Sequence, residues 1–174
     1  MRTRLWIVAG LVLLGVAIFG TRYYEVDRPI WRFLAGESAS IDPLTLHLQG
    51  EFVESNLGVA EEPNQPLTVR LIAEQYMFVP QCVQVPAGVP VRFRITSADV
   101  VHGLTIADTN FQLKAVPGAV SQTEYVFRDP GEHVMPCREF CGAGHYAMRA
   151  RVLVVPKERY ADLKPGERGS CAPR

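Results

Sequence analysis

Apolar and polar positions follow different rules in successive parts of the chain. Residues 5–20, LWIVAGLVLLGVAIFG, carry no charge. With Thr21, Tyr23 and Tyr24 beyond them, the run reaches the roughly 17 residues that a spanning helix needs. The pattern predicts one N-terminal transmembrane anchor over residues 1–27, with Tyr23, Tyr24 and Trp31 placed for an interfacial aromatic belt. A cleaved signal peptide is the rival reading, since Arg2 and Arg4 supply a basic start. The apolar run continues past Gly15-Val16-Ala17 with no better cleavage pattern, which favours the anchor. Arg22, Arg28 and Arg32 follow the run, so basic residues on its two flanks do not set its orientation.

Residues 28–66 lose all periodicity. Pro29, Gly36, Pro43, Gly50, Gly58, Pro63 and Pro66 interrupt isolated apolar residues, and His47 stands there without a second ligand-type neighbour. The stretch is too long for a structureless loop inside a compact domain. It is expected to be a connector ordered by something outside the chain.

After Pro66 short β-type runs take over: LTVRLIA, CVQV, VRFRIT, HGLTI, FQLKA, TEYVF, EHVMPC and RARVLVV. Val91-Arg92-Phe93-Arg94-Ile95 alternates as a half-buried strand does. Pro86-Ala87-Gly88, Pro117-Gly118 and Asp129-Pro130-Gly131 punctuate the runs as turns. Seven or eight strands at this spacing predict an all-β domain over residues 67–156, a two-sheet sandwich or Greek-key barrel. Pro156 closes the last strand, and residues 157–174 read as a polar, flexible C-terminal tail with at most one short helix near 157–163.

At 174 residues and 48% hydrophobic, the chain holds one ordinary domain plus an extra segment. A formal net charge of +0 excludes the basic excess of a nucleic-acid binder. The four cysteines are too few and too uneven for a disulfide framework. Cys82 and Cys171 are expected to stay apart, because pairing needs close Cα atoms and nothing in the tail pattern positions Cys171.

Candidate chemistry concentrates in residues 137–148, CREFCGAGHYAM, where two thiols, an imidazole and a thioether share one short loop. Thiolate, imidazole and a weak axial thioether are the ligands of electron-transfer copper sites. Cys141, His145 and Met148 already satisfy a single copper, so Cys137 is surplus. A second thiolate would bridge two copper ions, each finished by one imidazole. His102, in VVHGLT, is the best-placed second imidazole. Asp99 and Ser97, just before it, are candidates to orient its ring, since a ligating histidine normally donates its other N–H to a partner.

The stretch from His102 through the spacing C-x-x-x-C-x-x-x-H-x-x-M resembles the binuclear copper centre, CuA, of subunit II of the haem-copper oxygen reductases. Residues 84–155 and the segment IDPLTLHLQGEF resemble the B-type branch of that family. The resemblance implies a cupredoxin fold and two copper ions. Cys137 and Cys141 would bridge them, His102 and His145 would each bind one, and the weak ligands would be Met148 and the backbone carbonyl of Glu139. It further implies subunit I as partner for the connector and the membrane lipid around the anchor. The copper domain would lie on the periplasmic side of a bacterial inner membrane. Electrons would pass from a cytochrome c or small copper protein to the haems of subunit I, where O2 is reduced to water. Tyr76 and Phe78 match an aromatic pair near the centre and are candidates for the face where electrons arrive, against the plainer reading of both as strand aromatics packed in the core. Glu139 departs from the B-type pattern, which has an amide there, and matches the A-type acid whose carboxylate binds magnesium. No C-x-x-C-H occurs, so the donor is a separate protein.

Three other readings compete. A nitric oxide reductase subunit would carry the same copper domain. A membrane-anchored copper chaperone shares C-x-x-x-C and a distant His but alternates helices with strands and has no need of His145 or Met148. A structural zinc site leaves Met148 unexplained.

Overall fold

The computed structural model describes residues 12–16, 41–61, 65–163 and 171. Residues 12–16 are helical and exposed, and the remainder of the expected anchor lies outside the described residues. Among the described residues no helix is long and apolar enough to cross a membrane. Two compact units are separated between Glu37 and Ser38. The second holds all ten strands.

Those strands form the expected all-β, cupredoxin-like architecture. In the first sheet the order is β1 (Gly58–Ala60), β2 (Leu67–Glu74), β5 (Pro90–Ser97) and β8 (Ser121–Val126), with β3 (Met77–Val79) also paired to β2. The second runs β4 (Cys82–Pro86), β10 (Arg149–Val155), β9 (Gly131–Pro136). A separate ribbon joins β6 (His102–Thr105) to β7 (Gln112–Ala115). β2–β5 and β4–β10 are parallel pairs, and the others are antiparallel.

Alternation decides which faces are buried. Val91, Phe93 and Ile95 on β5 point into the core, where Phe93 meets Phe111 edge-on at 4.8 Å between ring centroids. Val83 and Val85 on β4 and Val152 and Val154 on β10 close the core from the other sheet. His133 on β9 packs its ring near Phe127, 5.9 Å between centroids, as an ordinary packing group. Among the described residues no helix falls between one strand and the next except short 3-10 turns, which is not the helix–strand alternation of a thioredoxin-like chaperone.

Two expectations need correction. The described part of the connector is no bare linker. Leu46 and Phe52 are fully buried against Ile72 and Val120. The Ile41 N–H donates to the Gly118 carbonyl at 3.2 Å. Glu51 takes a two-pronged ion pair from Arg94, at 2.6 and 2.7 Å, and a longer one from Arg70 at 3.5 Å. Burial works against the Glu51 carboxylate, but the Arg94 and Arg70 guanidinium groups outweigh it and hold its pKa below the ordinary value. Isolated apolar residues in a Pro- and Gly-rich stretch gave no period to read, yet their burial needs only a matching hollow.

The second correction concerns Cys82 and Cys171, which form a disulfide with Cα atoms 5.6 Å apart. The chain turns at Pro156 into the helix Lys157–Asp162, which packs on β4 with Tyr160 buried. Cys171 is thus joined to the first residue of β4.

Candidate metal centre

The motif occupies the hairpin loop between β9 and β10. Register closes its base: Pro136 pairs with Arg149, and the Cys137 N–H donates to the Met148 carbonyl at 3.1 Å. A short turn of 3-10 helix, His145–Ala147, folds the distal half back, with the His145 N–H on the Gly142 carbonyl and the Met148 N–H on the His145 carbonyl, each 3.1 Å. The loop is thus tied at both ends and in its middle. On its flank the Arg138 N–H donates to the Gly103 carbonyl at 2.8 Å, which docks the loop on β6 beside His102.

Six donor atoms converge there. Cys137 Sγ and Cys141 Sγ lie 4.0 Å apart at the centre. Next to Cys141 Sγ stand Met148 Sδ at 3.7 Å and His145 Nδ1 at 3.6 Å. His102 Nδ1 is 3.2 Å from Met148 Sδ, and the Glu139 carbonyl is 3.3 Å from Cys137 Sγ. The donor atoms of His102, Cys137 and Cys141 all lie within 4.8 Å of one another, the only such group of three metal-binding side chains among the described residues. His102, Cys137, Cys141 and Met148 are buried, whereas His145 is half-buried.

The outer contacts fix ring orientation. His102 Nε2 donates to Asp99 Oδ1 at 2.8 Å, which leaves the Nδ1 lone pair aimed at the sulfur atoms. Asp99 also accepts the Gln75 and Val100 backbone N–H groups, each at 2.6 Å. Burial opposes ionisation of Asp99, but the hydrogen bonds from His102, Val100 and Gln75 prevail and hold its carboxyl below the usual value. Ser97 touches His102 only through this turn: its hydroxyl donates to the Val100 carbonyl at 2.5 Å and accepts the Asp99 N–H at 3.2 Å.

Burial, and after it the adjacent Cys137, push the Cys141 thiol up to about 11. A cation held between the two sulfurs would offset that cost of ionising Cys141. A thiophilic cation that takes imidazole and thioether fits this donor set; a hard one does not.

Tyr76 lies on the loop. A Cβ added at Gly144 would sit 2.4 Å from its Cδ2, and one at Gly142 2.6 Å from its hydroxyl, so glycine is needed at both positions. Of the aromatic pair, Phe78 on β3 is fully buried, as its core-packing reading has it, whereas Tyr76, in the turn before the strand, stays partly exposed.

Sequence reasoning missed three contributors. Phe140 and Tyr146 flank the His145 ring at 5.7 and 5.4 Å between centroids and are 75% and 89% exposed. Their signal was present: bulky aromatics within a loop whose ligand atoms all turn inward have nowhere to go but the surface. Gln75 donates its side-chain amide to the Cys141 carbonyl at 2.5 Å, and nothing local announces that.

The Glu139 carboxylate faces the Lys114 ammonium at 3.2 Å. The hollow beside them, about 320 Å³, is lined by Gly103, Thr105, Gln112, Lys114 and Arg138. Within this chain the cation nearest that carboxylate is the Lys114 ammonium.

Comparison with known proteins agrees with this picture. Residues 65–155 match the family described as cytochrome c oxidase subunit II, periplasmic domain. A cytochrome c oxidase subunit 2 from Thermus thermophilus is 31% identical over 149 residues, 86% of this chain and 89% of the relative. A second subunit 2 from the same species is 33% identical over 120 residues, 69% of this chain and 89% of the relative. Among solved structures, a chain of a heme-copper terminal oxidase dimer superposes with a TM-score of 0.52 at 25% identity, covering 82% of this chain and 96% of that one. The periplasmic domain of subunit II of a Bradyrhizobium japonicum cytochrome oxidase shares the fold, with a TM-score of 0.51 at 22% identity over 57% of this chain and 91% of that one.

Proposed function

The chain belongs to the cytochrome c oxidase subunit II family, and we propose that it is the electron-transfer subunit of a respiratory haem-copper oxidase built around a binuclear copper centre. Electrons arrive from a cytochrome c or a small copper protein and leave for the haems of subunit I, where O2 becomes water. The convergence of two thiols, two imidazoles, one thioether and one carbonyl on a single point carries this reading.

Cys137 and Cys141 would bridge the two ions, His102 and Met148 finish one, and His145 and the Glu139 carbonyl finish the other. When bound, the copper pair supplies one-electron chemistry; the chain's own residues keep the ligands still. Asp99 holds the His102 tautomer and ring orientation. Uptake of the metal must displace the proton that burial and the adjacent Cys137 hold on the Cys141 thiol. The β9–β10 register and the Gln75 contact to Cys141 restrain the loop, so little need move when an electron arrives.

His145 is the least buried of the side-chain donors, and Phe140, Tyr146 and Tyr76 make an apolar rim beside it. A contiguous exposed apolar patch marks a docking surface, here one for the electron donor. The domain stands on the periplasmic side of a bacterial inner membrane, held by a single N-terminal anchor in lipid, with the connector of residues 28–66 against subunit I. Residues 84–155 and IDPLTLHLQGEF resemble the B-type branch, with Glu139 the departure from it.

Copper content of the purified full-length chain tests this function. Two copper ions per chain with a purple copper–thiolate spectrum are expected, and Cys137→Ser should abolish that spectrum. One copper per chain with a blue single-site spectrum would overturn the binuclear reading.

A further inference from the structure

Glu139 is held from its side-chain end as well as by its backbone. β6 and β7 pair so that Gly103 stands opposite Lys114. On the other edge of β6 the metal-loop strand is added, through the Leu104–Cys137 bridge and the Arg138 N–H on the Gly103 carbonyl. A Cβ at Gly103 would lie 2.8 Å from Glu139 Cγ and 3.0 Å from its backbone N. The missing side chain therefore opens a lane, and the Glu139 stem crosses it to reach Lys114 Nζ at 3.2 Å. Behind the same residue, its carbonyl stands 3.3 Å from Cys137 Sγ.

We propose that Lys114 is a positioning residue for the metal centre: its ammonium takes the place a hard cation would hold against the Glu139 carboxylate, and the ion pair fixes where the Glu139 carbonyl points. This rests on the Glu139 carbonyl serving copper, as argued above. Three backbones in a row, β7, β6 and the loop, are strapped by one side-chain pair that spans the glycine between them. Pinning the carboxylate restricts rotation of the peptide that carries the carbonyl. A pair with Lys114 67% and Glu139 44% exposed adds little to global stability. Its loss should therefore be read at the metal, not in unfolding. The chain thus supplies from β7 the positive charge that a bound divalent ion would otherwise supply, and Arg138 beside it makes a second cation there still less favourable.

The test uses the full-length copper-loaded chain and its Lys114→Met, Lys114→Arg, Glu139→Gln and Lys114→Glu/Glu139→Lys variants, with absorption bands and copper hyperfine couplings as readouts. Copper content of the parent comes first: a single copper would overturn the binuclear reading and this proposal with it. With two present, Lys114→Met and Glu139→Gln should move the spectrum in the same sense, because both release the carbonyl. Lys114→Arg and the charge-exchanged pair should keep or restore the parent spectrum. A purely electrostatic effect would instead leave the spectrum alone and shift the potential in opposite directions, since one variant removes a positive and the other a negative charge; that result overturns the proposal. A parent spectrum in Lys114→Met would also overturn it. Manganese(II) added to the parent should leave copper relaxation unchanged, whereas enhanced relaxation would place a divalent ion at Glu139 despite Lys114 and refute the substitution.

Discussion

Replacing Cys82 and Cys171 together by serine should lower stability by an amount the fold allows to be worked out. The cross-link spans a sequence separation of 89, and the closed loop runs from β4 to the tail, with His102, Cys137, Cys141, His145 and Met148 all inside it. Chain-entropy loss for a loop that long is about 4.6 kcal/mol at 25 °C, against roughly 3 kcal/mol for a 15-residue loop. Residual structure in the unfolded chain reduces the effect, so about 2–4 kcal/mol is expected. In a unit of this size that corresponds to a fall in Tm of roughly 10 °C. The assay is thermal unfolding of parent and double variant at matched copper loading. The double variant keeps Cys137 and Cys141, so copper content should be unchanged. Equal Tm values, or four reactive thiols in the denatured, metal-free parent, would refute the reasoning.

Three other outcomes follow from the same contacts. Asp99→Asn removes the charge behind the His102 ring and should weaken copper binding about ten- to hundredfold, measured by competition with a chelator; undiminished affinity would show that the 2.8 Å contact does not orient the ligand. Gly144→Ala forces a Cβ to within 2.4 Å of the Tyr76 ring and should cost about 1–3 kcal/mol in urea unfolding, with the cost largely gone in a Tyr76→Ala background; an equal cost in both backgrounds would exonerate Tyr76. Glu51→Gln should destabilise by about 1–3 kcal/mol at neutral pH. Because the folded-state pKa of Glu51 is depressed, its contribution is full above the ordinary value of 4.5 and fades as pH falls through the lower folded value, so the two stability curves should converge in acid. A gap that stays constant with pH would contradict the ion pair with Arg94.

Much of this was legible in the chain because it is local. Val91 to Ile95 alternate, and β5 buries the alternate residues; the loop of residues 137–148 carries four of its donor groups within twelve positions, so no tertiary knowledge was needed to group them. His102 was reachable by counting imidazoles. What escaped depends on register and on partners far away in sequence. β1 and β3 are three residues each, too short to show a period, and exist because β2 offers them an edge. Leu46 and Phe52 look like stray apolar residues until Ile72 and Val120 are placed beneath them. Cys82 and Cys171 pair across a sequence separation of 89, with the helix after Pro156 packed on β4, and no spacing rule foretells that. Tyr76 and Phe78 could be surface or core aromatics from sequence alone; they part because Tyr76 lies in the turn before β3, whereas Phe78 is on the strand and, opposite its exposed neighbour Met77, goes inward. The Lys114–Glu139 contact follows from the Gly103–Lys114 register and could not be seen before β6 and β7 were paired.

A reductive titration of the oxidised, copper-loaded full-length chain, followed by electron paramagnetic resonance, tests the central claim most directly. If Cys137 and Cys141 bridge two copper ions, one electron should suffice to silence the signal of each pair, and the hyperfine pattern should require two copper nuclei sharing a single unpaired electron. A signal that needs one electron per copper ion, with hyperfine splitting from a single nucleus, would contradict it.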